Sequence, residues 1–309
     1  MTGGPAAAGG MKDGAPRIVM TLLVRDEADI LSENIEFHRA QGVDHFVITD
    51  NLSKDASPSI IAHYVKKGWA TAIFEPGDDF SQAEWVTRMA RLAAVDLKAD
   101  WVINSDADEF WTAPAGSLKH YYATIPEDVD VVSSPRHDFV CLDALTGPWH
   151  QRMVYRKVVS LNHVGRPLPP TVAHRAHPDV LIHQGNHQVS GLGGRAILGA
   201  GLEVLHFPIR SRQQFENKIS NGGAAYARNT RLPLGFARGW RELYRMYLAE
   251  GSLERYLQDH CFTPEKIAAG LASGMLVVDT RLATFGFSNV SEAPRIQAGV
   301  GDGDPLRLP

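Results

Sequence analysis

Cysteine is nearly absent from this 309-residue chain, which has only Cys141 and Cys261. Two cysteines build neither a disulfide framework nor a structural zinc cluster, and they suit a reducing compartment, so a cytoplasmic protein is expected. Long apolar runs are missing too: no segment reaches the roughly 20 residues of a membrane-spanning helix. There is no Lys/Arg cluster, and the formal net charge of -4 provides no positive field for nucleic acid or anionic lipid. No Gly-x-Gly-x-x-Gly follows the first apolar run, where the chain reads Val24-Arg25-Asp26-Glu27. That absence disfavours a dinucleotide-dependent oxidoreductase and a nucleotidyltransferase with a Gly-rich phosphate loop. The N-terminal MTGGPAAAGGMKDGAPR lacks the apolar centre of a signal peptide. Flexible tails are expected over residues 1–15 and 286–309.

With 44% hydrophobic and 21% charged residues, the chain has enough apolar surface for a sizeable core. Short apolar runs alternate with helical periodicity. RIVMTLLV (17–24), HFVITD (45–50), WATAIFE (69–75) and WVINSD (101–106) read as strands, separated by helices over 27–42, 57–68 and 81–99. Strand, helix, strand at this spacing implies right-handed crossovers and a mostly parallel sheet covered on both faces. After residue 128 the alternation loosens: DVDVVSSP, RMVYRKVVS and GLEVLHFPIR look like strands, and 212–271 is mainly helical.

In such sheets ligands bind beyond the carboxyl ends of the strands. Arg25, Asp50, Asn51, Ser53, Asp78, Asp79 and Asp106 to Glu109 all fall there. In SDADEF, Asp106 and Asp108 follow a buried strand, a pattern that suits a hard divalent cation holding a diphosphate, although Asp-rich turns are usually just solvated. In TDNLSKD, Asp50 and Asn51 are placed to meet a base or ribose, while Ser53 and Asp55 are good cap residues for the next helix. In HFPIRSRQQFENK, His206 is a candidate third metal ligand, with Arg210, Arg212 and Lys218 as cations for a diphosphate. His163, His174, His177, His183 and His187 lie in a Pro/Gly-rich stretch that suits a loop over a cleft better than a zinc site. Trp85, Phe110, Trp111 and Trp149 are chiefly core candidates.

Taken in order, VRDEADILSENIEFHRAQGVDHFVITDNLSKD, the long helix, WVINSDADEF and HFPIRS resemble GT-A glycosyltransferases of the family 2 type, in the branch with a DxDEF motif. The resemblance covers about residues 17–220. It implies a GT-A (nucleotide-diphospho-sugar transferase) fold, an α/β architecture whose mostly parallel central sheet is flanked by helices. A nucleotide-binding half (16–110) and an acceptor-side half (111–220) would be followed by a helical C-terminal extension (221–285). It also implies a hexosyltransferase-type enzyme using a UDP-sugar by default, with Mn²⁺ or Mg²⁺ held by Asp106, Asp108 and His206. Arg25, Asp50, Asn51 and Asp106 would meet the nucleotide, and Arg210, Ser211 and Lys218 the diphosphate. Inversion needs a base on the acceptor side, where Asp138 and His187 rank ahead of Asp143, Asp179 and His183. The acceptor would be a small molecule, glycan or natural product. A nucleotidyltransferase and a non-catalytic nucleotide-sugar-binding module are the alternatives. The apolar residues of 232–271 suit packing on the core, cover of the acceptor site, or contact in a homo-oligomer.

Overall fold

The structure is a computed structural model and describes residues 14–142, 147–161, 165–233 and 235–287. Asp143 and His163 lie outside the described residues. The N-terminal part forms Ile18–Val24 (β1), Leu31–Ala40 (α1), His45–Asp50 (β2), Ser57–Lys66 (α2), Ala70–Phe74 (β3), Gln82–Val95 (α3), Trp101–Asp106 (β4) and Glu109–Thr112 (β5). Next come Leu118–Ala123 (α4), Val129–Ser134 (β6), Arg136–Asp138 (β7), Trp149–Arg152 (α5), Tyr155–Lys157 (β8), Thr171–Arg175 (β9), Leu181–Ile182 (β10), Val189–Ser190 (β11), Arg195–Leu198 (β12) and Glu203–His206 (β13). The last elements are Arg212–Arg228 (α6), Arg238–Glu250 (α7), Glu254–His260 (α8), Pro264–Ala272 (α9), Leu276–Val278 (β14) and Arg281–Thr284 (α10).

Seven strands make the main sheet, in the order β12-β6-β9-β4-β1-β2-β3. Parallel pairing joins β4 to β1, β1 to β2, β2 to β3 and β12 to β6, while β9 runs antiparallel to both its neighbours. This is the α/β class expected from the alternation, with helices on both faces and a helical C-terminal part. The period of two along each strand explains the cover. Met20, Leu22, Phe46, Ile48 and Ile103 pack on one face with Ile35 and Ile60 of α1 and α2, and Val19, Val47 and Val102 pack on the other with Val86, Met89 and Ala93 of α3. Gly42 and Gly68, at φ 94° and 72°, end α1 and α2 in the left-handed region that favours glycine.

A second, three-stranded sheet, β5-β13-β7, grows from the end of β4. Its register sets Glu109 opposite His206 and His206 opposite Asp138. The strand read over RMVYRKVVS shrinks to Tyr155–Lys157, and the boundary expected at residue 220 falls inside α6. Ser211 caps α6, its hydroxyl accepting from the Gln214 N–H at 3.1 Å. Helix α7 is amphipathic but has no fully buried residue.

Cys141 and Cys261 form a disulfide across 120 residues, with Cα atoms 4.8 Å apart. Two cysteines build no disulfide framework, as expected, but this single bond removes the basis on which a reducing compartment was read. The bond joins the segment after β7 to the end of α8, inside an apolar cluster with Phe215, Ile219, Leu253 and Leu257. Among the described residues no helix is long and apolar enough to cross a membrane.

Candidate functional site

The carboxyl ends of β1, β2 and β4, together with α6 and α7, enclose a cleft of about 570 Å³. Of the residues proposed from sequence, Arg25, Asn51, Asp106, Asp108, His187, His206 and Lys218 line it. Asp50, Asp138, Arg210 and Ser211 stand outside that lining.

Asp108 is the electrostatic centre. It is 1% exposed, in contact with the Lys218 ammonium, and lies 3.6 Å from His206 Nε2 and 3.8 Å from Arg210 Nη1. Burial works against its charge, but Lys218, His206 and Arg210 hold its carboxyl well below the usual range. Asp106, two residues earlier, is treated differently. It accepts only long hydrogen bonds from Gln82 (3.4 Å) and Asn186 (3.3 Å). Burial first, then Glu109 and Asp108, push it up to about 7. The pair therefore combines one compensated carboxylate with one short of positive charge.

His206 reaches the cleft because β13 is held between β5 and β7. Its Nδ1 lies 2.8 Å from Asp138 Oδ1. Although burial opposes its charge, Asp108 and Asp138 raise the imidazole pKa to about 9. Asp138 is thus committed to His206. Arg210 is committed as well: Nε and Nη2 bond both oxygens of Asp29 at 2.7 and 2.8 Å, Nη2 bonds Glu27 at 2.5 Å, and Nη1 bonds the Phe207 carbonyl at 2.9 Å. It anchors the loop after β1 to the loop after β13. The hydroxyl of Ser211 serves the helix cap, and the Asn51 amide donates to the carbonyls of Glu75 (3.0 Å) and Gly77 (2.6 Å). Burial raises the Asp50 carboxyl, whose Oδ1 has no hydrogen-bond partner among the described residues. Arg25 bonds Asp78 at 2.6 Å.

Two oxygen donors and an imidazole are the right chemistry for Mn²⁺ or Mg²⁺, and Asp106 is short of positive charge around it. In arrangement they fall short: among the described residues, no three His, Cys, Asp or Glu side chains are grouped to hold a metal. Asp108 and His206 meet, while Asp106 faces Gln82 and Asn186.

Several residues of the site escaped the sequence reading. Asn34 and His38, both fully buried on α1, hold the 106–111 turn by its backbone. Asn34 Nδ2 donates to the carbonyls of Ala107 (2.9 Å) and Glu109 (2.8 Å), and the Trp111 N–H donates to His38 Nε2 at 2.9 Å. Because Nε2 accepts, His38 carries its proton on Nδ1, which bonds the Asn34 carbonyl at 2.9 Å. Two polar residues four apart on an otherwise apolar helix face were the available signal. Arg136, 3.3 Å from Glu109, also lines the cleft. Of the other loop histidines, His183 bonds Ser190, His177 accepts from the Asp179 N–H and His174 is core. Phe110 and Trp111 are wholly buried, and Trp85 and Trp149 nearly so.

The profile of glycosyltransferase family 92 matches residues 19–128 of the 309, whereas the motif resemblance was to the family 2 type. Over that stretch the chain is similar to glycosyltransferases. No curated protein matches. Among solved structures, S. aureus TarS 1-349 in complex with UDP is 14% identical, with 75% of this chain and 70% of that one covered at a TM-score of 0.43. The mannosyltransferase PcManGT from Pyrobaculum calidifontis, in complex with GDP-Man and Mn²⁺, is 16% identical over 88% of this chain and 83% of that one, at 0.41. Glucosyl-3-phosphoglycerate synthase from Mycobacterium tuberculosis is 17% identical over 52% and 57%, at 0.31. These scores are low, and the reading of the site rests on its own geometry and on the family profile.

Proposed function

We propose that the protein transfers a hexosyl group from a nucleoside diphosphate sugar, with uridine as the default base, to an acceptor hydroxyl, inverting the anomeric centre. The observation that carries this is Asp108, seated between Lys218 and His206 beside the under-compensated Asp106, in a cleft at the carboxyl ends of a parallel sheet. The similarity to family 92 over residues 19–128 supports it.

Asp108 and His206 already meet, and Asp106 would have to turn from Gln82 and Asn186 to complete with them a site for Mn²⁺ or Mg²⁺, which when bound stabilises negative charge on a departing diphosphate. Lys218 and Arg136 place protein cations at the same end of the cleft. Asp138 orients His206 as a carboxylate orients a ligating imidazole, and is better read as a positioning residue than as the base. His187 remains for that role. Its Nδ1 lies 3.1 Å from the Pro170 carbonyl, which can only accept, so the proton sits on Nδ1. Burial, followed by Arg136, keeps the ring's pKa below normal, which leaves Nε2 free to take a proton from an acceptor hydroxyl in the single displacement.

Calorimetric titration with UDP, GDP and dTDP, with and without Mn²⁺, tests the donor reading. Metal-dependent binding of one nucleotide that collapses in Asp108→Asn is expected. Absence of nucleotide binding under every condition refutes it.

A further inference from the structure

The cleft has two unlike walls. Val24, Arg25 and Asn51 form the sheet side, and the aromatic rings of Phe80, Tyr226 and Trp240 form the other. The chemistry proposed above uses none of these rings, yet three features hold them in place.

First, they form one cluster: the centroids of Phe80 and Tyr226 are 4.4 Å apart, those of Tyr226 and Trp240 5.9 Å, and those of Phe80 and Trp240 6.3 Å. Second, Phe80 adopts φ 54°, a left-handed conformation unfavourable for a bulky residue and sustained only when its surroundings enforce it. Third, Gly222 seats the indole: a Cβ there would lie 2.6 Å from Trp240 Cζ3.

The path of α6 decides what the rings cover. Lys218 is on Asp108 at the end of β4, Asn221 Nδ2 bonds Asp26 after β1 at 2.8 Å, and Arg228 pairs with Asp78 after β3 at 2.6 Å. The helix therefore crosses the strand ends from Asp108 toward the β3 edge, and Tyr226, two residues before Arg228, stands late on that course with its hydroxyl turned back to Gln184. Between the two walls a ligand finds flat apolar surface on one side. On the other, Arg25 Nε and, behind the cleft wall, Asp50 Oδ1 are buried polar atoms without a partner among the described residues. A group with flat faces and a polar edge fits such a slot, and of the parts of a nucleoside diphosphate sugar that is the base.

We propose that the helical C-terminal part supplies the base-stacking wall of the donor site, with the nucleobase held between Phe80, Tyr226 and Trp240 and the ends of β1 and β2. The inference rests on the donor reading of the cleft and extends it to Tyr226 and Trp240, outside the family match that includes Phe80. Its test is titration of wild type, Tyr226→Leu, Trp240→Leu and Trp240→Phe with UDP, GDP, dTDP and pyrophosphate, all with Mn²⁺, each variant first shown to keep the native far-UV circular dichroism and a cooperative thermal unfolding transition. In the Leu variants the nucleotide that wild type binds should weaken by about tenfold or more, because stacking on a ring contributes that much. Pyrophosphate binding should not change, and Trp240→Phe should stay within about threefold of wild type. Unchanged nucleotide affinity in both Leu variants overturns the inference alone. Wild type that binds pyrophosphate but no nucleotide overturns the base wall and leaves the phosphate end standing. Wild type that binds neither overturns the donor reading itself.

Discussion

The floor and the roof of the cleft are held by different physics. The floor, β1 to β4, is built from continuous parallel ladders, with side chains that are almost all buried in β1, β2 and β4, while the edge strand β3 exposes Ala72 and Phe74. The roof, α6 to α8, includes a helix with no fully buried residue and is fastened by ion pairs, two glycines under aromatic rings and one disulfide. Burial is spread over many residues and resists single changes, whereas fastening concentrates in a few contacts and can be undone locally.

The disulfide offers the largest test of that contrast. Opening it in a Cys141→Ser/Cys261→Ser variant frees a 120-residue loop and should cost about 4 to 5 kcal/mol by loop entropy. Urea unfolding measures the loss. Hydrogen exchange should locate it in α6 to α8, and faster exchange spread equally over β1 to β4 would show that floor and roof are one cooperative unit.

Acid should act on the buried surroundings of the floor, at His38 of α1 and His174 of β9. Burial lowers the pKa of His38 to about 3 and of His174 to about 4, from an ordinary 6.5. Below pH 6.5 the unfolded chain therefore binds protons that the folded one refuses, and stability falls with pH down to about those folded values. At pH 5 the loss is about 2 kcal/mol for each imidazole. In His38→Gln the drop in unfolding free energy between pH 7 and pH 5 should shrink by about that amount, and an unchanged drop would refute the assignment.

The smallest effect is expected at the rim. Arg231 pairs with Asp79 and Glu84, but its side chain is 58% exposed, and exposed pairs contribute little. Arg231→Ala should leave the melting temperature unchanged. A clear fall would mean that the roof depends on its rim charges more than on the rings and the disulfide.

The same contrast governs what could be read from the chain. The strands expected at 45–50 and 101–106 match β2 and β4, and the first differs from β1 by one residue, because apolar runs between Gly stops are local signals. Asp106, Asp108, His206 and Lys218 were legible as candidates because each follows a strand or shares a helix with other cations. Their partners were not. The pairing of Asp138 with His206 depends on the register of a small sheet assembled from three separate segments, and the work of Asn34 and His38 appears only once α1 is laid against the turn. Arg210 looked like a diphosphate contact because sequence shows a cation but not the two carboxylates that already occupy it. The mainly helical stretch expected over 212–271 divides into α6, α7, α8 and α9, with α7 closed at Gly251, which takes φ 71°.

Asp108 and the lysine that neutralises it are 110 residues apart. During synthesis at about 5–20 residues per second, the acidic turn is made roughly 5 to 20 seconds before that lysine exists. Arg136, which pairs with Glu109, is made early in that interval, but Asp108 must remain hydrated until His206, Arg210 and Lys218 follow, because a lone carboxylate is costly in a dry interior. The turn can be sealed only after α6 has been made, so closure of the cleft belongs to the last stage of the protein's birth.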